Sequence, residues 1–293
     1  MILAVETSSA AASAAVVATD GAALGESRPS AEAQQARRLL ECVHEALTMA
    51  GAALADIETV VCGLGPGTFT GLRIGIATAR ALAQGAGLPV AGVPSLEALA
   101  CGLAAGEAAA SATHVVPLID GRRGEVFAAV YRRTARPAAA PGGPTAEPTP
   151  GTAASLAAAP TTRLASWPEL ELLVPLTVVS VDELSAFLSR FPGAVVGGDG
   201  ALPHVDRLPP AVVLERAVAG PSALMVARTF LAGSPALTRG FADTLPIYGR
   251  EPDAVPRKQA LALPRAAGAA PRAAATPSST DRGAPPPTKE PRR

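Results

Sequence analysis

The chain has 293 residues, of which 48% are apolar, enough to bury a sizeable core as one large domain or two modest lobes. Aromatic residues make up only 3%, with Trp167 the single tryptophan, which argues against base-stacking platforms for nucleic acid. The formal net charge is zero, yet residues 256 to 293 carry eight basic side chains against Asp281 and Glu290, a net +6, so the remaining body is acidic by the same amount and disfavours phosphate backbones.

From the start, Met1 to Val5 reads as a strand, Glu6 to Ser9 as a turn and Ala14 to Ala18 as a second strand, with a third near Ala22 to Gly25. Over Ala31 to Ala50 the apolar residues Leu39, Leu40, Val43 and Leu47 recur at helical spacing among Arg37, Arg38, Glu41 and Glu45, which predicts an amphipathic helix stopped at Gly51. The β-branched run Ile57, Thr59, Val60, Val61 predicts a strand that feeds a Gly/Pro-rich turn, Gly63 to Gly67, and then a helix over Thr70 to Ala86. A short strand at Leu88 to Val93 precedes a helix signalled by Pro94, Ser95 and Glu97. His114 to Ile119 and Glu125 to Tyr131 read as strands joined by the hairpin turn Asp120-Gly-Arg-Arg-Gly124, which puts Asp120 on an exposed turn.

Residues 133 to 166 are rich in Ala, Pro, Gly and Thr without an apolar period, and are predicted to be a disordered insertion. Order is expected to resume with a strand at Leu176 to Ser180, a helix at Val181 to Arg190, a strand at Ala194 to Gly198 and a helix around Pro221 to Ala232, forming a reduced second lobe within 167–250. The stretch 251–293 reads as an unfolded basic Pro/Ala tail holding both lysines of the chain, Lys258 and Lys289. The N-terminal lobe is thus expected over 1–132.

Three cysteines, Cys42, Cys62 and Cys101, form no CxxC pair and fit free thiols in a reducing, cytoplasmic setting. The opening MILAVETSSA lacks a basic region followed by a long apolar run, and no stretch reaches spanning length free of Gly, Pro or charge, so no membrane association is expected. His44, His114 and His204 are far apart and show no ligand spacing, so no metal is expected.

The most informative segment is Gly63-Leu-Gly-Pro-Gly-Thr-Phe-Thr-Gly-Leu-Arg-Ile-Gly75, a glycine-rich turn opening a helix. Such a turn can present backbone N–H groups to an anion or admit another backbone at close range, and composition alone leaves both open. A Walker A loop is excluded, because Leu72-Arg73 follows Gly71 where that motif needs Lys then Ser or Thr. Gly65, Gly67 and Thr68 of the turn and Arg73 behind it form the candidate anion-facing set, beside the hydroxyl-rich segment Glu6, Thr7, Ser8 and Ser9, whose residues by themselves read as a hydrogen-bonded turn. No base can be matched to these hydroxyls for nucleophilic work, and no catalytic residue is assigned.

The motif Gly65-Pro-Gly-Thr-Phe-Thr-Gly-Leu-Arg-Ile-Gly75 resembles the signature of the TsaB/YeaZ family, and the resemblance extends over Met1-Ile-Leu-Ala-Val-Glu-Thr-Ser-Ser9, Gly92-Val-Pro-Ser-Leu-Glu-Ala-Leu99 and Pro117-Leu-Ile-Asp-Gly-Arg-Arg-Gly-Glu-Val126. Weaker echoes are Gly197-Gly-Asp-Gly200 and Pro246-Ile-Tyr-Gly-Arg250. Where many relatives have His-Ser-Glu-Arg-Leu-Leu, this chain has Gln35-Ala-Arg-Arg-Leu-Leu40, so the role of that histidine is absent or altered.

The resemblance implies an α/β fold of the actin, Hsp70 and sugar-kinase kind (ASKHA), with two βα lobes of which the second is reduced, and it gives Glu6, with Thr7, Ser8 and Ser9, the place at the end of the first strand where catalytic relatives hold metal and phosphates, which makes these four nucleotide-facing candidates. It implies a non-catalytic subunit that pairs with a TsaD-type paralogue, is joined by a TsaE-type ATPase, and supports transfer of threonylcarbamoyl to adenosine 37 of tRNA. No cofactor would be bound independently, with ATP and Mg at the level of the complex, and tRNA would be met through the complex. The paired helices are the expected contact, through Leu39, Leu40, Val43 and Leu47 of the first and Thr70, Ile74, Ala77 and Ala81 of the second, or else they pack on their own sheet; they could also pair two copies of the free protein. The rival readings are an autonomous ATPase or sugar-kinase-like enzyme, favoured by the fold and Glu6 to Ser9, a glycoprotease-like hydrolase, which lacks any motif here, and a tRNA tether in the basic tail.

Overall fold

A computed structural model describes residues 1–29, 35–134 and 167–250. The expected tail, and the expected insertion apart from its first two residues, lie outside the described residues, as does the first turn expected of the helix beginning at Ala31. Arg133 ends a strand, and the Thr134 N–H donates to the Glu169 carbonyl at 3.2 Å.

Strand β1 (Ile2–Glu6) is an apolar run buried on both faces. Leu3 and Val5 pack into one core while Ile2 and Ala4 pack into another, as the two-residue period of a strand requires. Antiparallel to it runs β2 (Ser13–Val17), and β3 (Ala23–Ser27) pairs antiparallel with β2. Helix α1 (Gln35–Ala50) stops before Gly51, whose φ of 61° suits a residue without a Cβ. Strand β4 (Thr59–Gly63) lies parallel to β1, α2 (Phe69–Ala86) follows the glycine turn, and β5 (Val90–Val93) lies parallel to β4. Helix α3 (Ser95–Ala105) then carries the chain to a second sheet.

That sheet begins with the hairpin β6 (His114–Arg122) and β7 (Glu125–Arg133), and adds β8 (Leu170–Ser180) antiparallel to β7. A short helix α4 (Leu184–Leu188) leads to β9 (Val195–Gly197), parallel to β6, and β10 (Val213–Glu215), parallel to β9. Helix α5 (Ala223–Ala232) and the two-residue β11 (Thr238–Arg239) return to the first sheet. The strand orders are β11-β5-β4-β1-β2-β3 and β10-β9-β6-β7-β8.

Four cores hold these layers together. Leu39 and Val43 of α1 and Ile76 and Ala79 of α2 cover one face of the first sheet, while Val226, Ala227 and Phe230 of α5 cover the other. Leu99 and Leu103 of α3 pack on the second sheet, whose far face is closed by Leu184 and Leu188 of α4.

Four expectations need correction. Sheet pairing divides the chain before residue 132, because β6 and β7 bond to β8 and β9 and so belong to the second sheet. The helix expected near Pro221 serves the first sheet rather than the second lobe, its apolar side docking on β1, β2 and β4 through Ile2, Ala15 and Val61. Asp120 is not at a loop tip: it lies half-buried within β6, with the turn at Arg123 and Gly124 and an irregular register between Asp120 and Arg122. The helix expected over Val181 to Arg190 is a 3₁₀ turn, Val181–Glu183, followed by the single turn and a half of α4.

Candidate functional site

The carboxyl ends of β1, β4 and β5 meet where the family motifs lie, and Glu6 is at their centre. Its side chain is fully buried. Oε1 accepts the backbone N–H of Thr7 at 2.7 Å and of Ser8 at 2.6 Å, and Oε2 accepts the Ser95 hydroxyl at 2.7 Å. Ser95 Oγ in turn accepts the Gly65 N–H at 3.0 Å. A buried carboxylate is tolerable when its lone pairs are met by donors of this kind, and here two local amides and one hydroxyl meet them.

The glycines of the motif serve this packing. A Cβ on Gly67 would stand 2.2 Å from the Ser8 carbonyl oxygen, one on Gly71 would stand 2.3 Å from that of Thr7, and one on Gly75 would stand 2.1 Å from Thr7 Oγ1. Thr7 Oγ1 donates to the Gly71 carbonyl at 2.8 Å, and the Thr68 N–H donates to the Ser8 carbonyl at 3.0 Å. The sequence left close backbone approach and anion binding as alternatives, and the geometry accounts for Gly67, Gly71 and Gly75 by close approach.

The candidate anion-facing residues are therefore brought together as a closed turn. Glu6, Thr7, Ser8 and Ser9 are buried, Gly65 and Gly67 are packed against them or against Leu72, and Thr68 begins α2 without a side-chain cap bond. Ser8 Oγ and Thr68 Oγ1 are buried without a hydrogen-bond partner. Arg73 is engaged elsewhere: its guanidinium carbon lies 3.8 Å from the centroid of the Phe69 ring and its Nε donates to the Tyr248 hydroxyl at 3.1 Å. Among the described residues no group of three His, Cys, Asp or Glu could hold a metal ion. The Glu6 oxygens are committed to Thr7, Ser8 and Ser95, and no lysine occurs before Lys258.

The candidate contact residues separate into two groups. Leu39 and Val43 are core residues, 0% and 5% exposed, and Leu47 and Ile74 pack partly against the same core. These side chains face the first sheet, as an amphipathic helix dictates. Leu40 is 59% exposed, and Thr70, Ala77 and Ala81 are exposed along one side of α2. Sequence reasoning missed Phe69 and Tyr248, which continue that side with ring centroids 5.1 Å apart although they are 42% and 37% exposed. The adjacency of Phe69 to Arg73 at helical spacing was the available signal; that of Tyr248 is set by tertiary structure alone.

The three cysteines are free and buried. Burial pushes the Cys101 thiol up to about 12 and raises those of Cys62 and Cys42, so all three stay protonated and inert at neutral pH. Among the described residues no helix is long and apolar enough to cross a membrane.

Two sheets, each opening with a strand hairpin and flanked by helices, define an actin-like protein of the ASKHA type. A family profile described as "TsaD: tRNA N6-adenosine threonylcarbamoyltransferase" matches residues 29–143. The tRNA threonylcarbamoyladenosine biosynthesis protein TsaB of Escherichia coli is 44% identical over 100 residues, 34% of this chain and 42% of that protein. An uncharacterized protein of Mycobacterium tuberculosis is 39% identical over 164 residues, 54% of this chain and 72% of that protein. A crystal structure from Pseudomonas aeruginosa, described as similar to the peptidase YEAZ, superposes with a TM-score of 0.59 at 25% identity, covering 85% of this chain and 99% of that one. The chain belongs to the TsaB/YeaZ family. The matched stretch spans less than half the length of E. coli TsaB.

Proposed function

We propose that this protein is a non-catalytic subunit in threonylcarbamoyladenosine formation on tRNA, and that it docks a TsaD-type paralogue through the exposed side of α2 and the adjoining part of α1. The observation that carries this reading is the outward row Phe69, Thr70, Arg73, Ala77 and Ala81 beside Tyr248. Aromatic and arginine anchors next to small alanines allow a facing helix to approach closely, a composition typical of interface centres. The TsaB-named relative and the TsaD family profile support a partner of the TsaD type. The closed Glu6 turn supports a role without nucleotide turnover by this chain alone, with ATP handled by a TsaE-type partner and tRNA met through the assembled complex. The cytoplasm is the compartment where that substrate is found.

The test is threonylcarbamoyl transfer to tRNA by a cognate TsaD and TsaE supplied with the threonylcarbamoyl adenylate, with and without this protein, alongside ATP turnover by this protein alone. Dependence on the protein, with no turnover of its own, is the expected result. Full transfer without it, or robust ATP hydrolysis by it alone, would replace this reading with that of an independent enzyme.

A further inference from the structure

Two adjoining cavities of about 240 Å³ each lie beside the N-terminal turns of α3, against β7 and β8, the first reaching Gly65 and Pro66 of the glycine turn. Glu97, Leu170 and Pro235 line both. The first is walled mainly by apolar side chains, among them Leu96, Leu172, Leu176 and Ile247, together with Tyr131. The second adds Thr229 and Ser234. Side by side they approach the size of ordinary small-molecule sites, roughly 300–1,000 Å³.

Glu97 is the charged group at their junction. Burial raises its pKa, and the hydroxyl of Ser234, which donates to Oε1, partly offsets that effect. Among the described residues no lysine, arginine or histidine lines either cavity. Glu169 lines the second cavity but has interactions of its own. Burial also raises the Tyr131 phenol, with Glu97 nearby adding to the effect, so that hydroxyl stays protonated and available for hydrogen bonding.

A partly buried carboxylate beside apolar walls, with no cation among the described lining residues, repels phosphates and carboxylates and complements a positively charged donor. The geometry points to a binding site for a small primary amine with an apolar body, whose ammonium group donates to Glu97 while its hydrocarbon part lies against Leu170, Leu172 and Leu176. Such a ligand adds a charged donor beside the Ser234 hydroxyl that Glu97 already accepts, and its binding does not require partner docking through α2.

Isothermal titration of the full chain with 2-phenylethylamine and with the neutral 2-phenylethanol tests this. The amine should bind saturably and at least about tenfold more tightly than the alcohol, the discrimination expected of one charge-assisted hydrogen bond. Glu97→Gln should reduce the amine to the level of the alcohol, and Leu170→Trp, which fills the shared wall and keeps the carboxylate, should weaken both, with unfolding curves confirming that each variant is folded. Equal binding of the two probes, absence of saturation with the amine, or unchanged amine affinity in Glu97→Gln would overturn the assignment.

Discussion

The Ser95 hydroxyl donates to Glu6 Oε2 at 2.7 Å while accepting the Gly65 N–H at 3.0 Å, so one side chain joins the end of β1, the glycine turn and the start of α3. These three segments are the parts of the chain that carry the family motifs. Their shared hydrogen bonds account for a buried acidic residue at the end of the first strand as a structural element.

Ser95→Ala should therefore destabilise the fold. It leaves a buried carboxylate oxygen and a buried backbone N–H each short of a partner, a loss of about 1–3 kcal/mol by the usual cost of unsatisfied buried groups. Urea unfolding measures it. A midpoint equal to that of the unsubstituted protein would show that the network contributes nothing.

Two glycines of α2 should respond in opposite senses. At Gly75 a methyl group meets Thr7 Oγ1 at 2.1 Å, inside the packed turn, so Gly75→Ala should cost about 1–3 kcal/mol. At Gly85 nothing lies within 4 Å of the added carbon, and Gly85→Ala should stabilise by about 0.5–1 kcal/mol through helix propensity. Thermal unfolding of the two variants under one buffer decides the matter, and a loss at both positions would argue against the close-approach account of the motif.

Much of this was legible in the sequence. The apolar run of β1, the helical spacing of apolar residues in α1 and the glycine stop at Gly51 are local signals, and each placed its element. The partition between sheets was not legible, because nothing local in His114 to Arg133 tells whether the hairpin bonds to β5 or to β9. Pairing between β6 and β9 is set some 80 residues away in sequence, at Val115 with Val195. For the same reason the outward row on α2 was read in part: Thr70, Ala77 and Ala81 follow from helical period, whereas Tyr248 joins them only through the returning chain. Helical period also left Leu39 and Val43 open as contact residues until their cores were seen to be filled.

Stability should carry a pH signature from Asp199. Burial, with a smaller contribution from the Asp120 carboxylate, raises its pKa from 3.8 to about 6, although its Oδ1 accepts the Asp120 N–H at 3.2 Å. The folded state therefore holds that proton more tightly than the unfolded chain does. As pH rises between about 4 and 6 the folded state loses this advantage, and above that window the ionised group is a constant penalty. Asp199→Asn keeps an acceptor for the Asp120 N–H and removes the charge. Its stability relative to the unsubstituted protein should be close to equal below pH 4 and grow to a gain on the order of 1–3 kcal/mol by pH 7. A difference that does not change with pH would show that Asp199 does not titrate in this window.

Surface and core on the paired helices can be told apart by substitution. Ala77→Arg and Ala81→Arg add bulk and charge at exposed positions of α2, where arginine is a good helix former, so their unfolding midpoints should stay within about 0.5 kcal/mol of the unsubstituted protein. If the outward row docks a TsaD-type paralogue, each should weaken that association by about tenfold or more in a pull-down calibrated by titration, because a long charged side chain cannot be accommodated between closely packed helices. Leu39→Ala should do the reverse: it empties a fully buried site between α1 and the first sheet, lowers stability by about 2–5 kcal/mol, and leaves the docking face intact in whatever fraction remains folded. Undiminished association in both arginine variants would move the interface off α2. Loss of association in Leu39→Ala beyond its loss of folded protein would instead mean that the partner reaches the α1 side of the core.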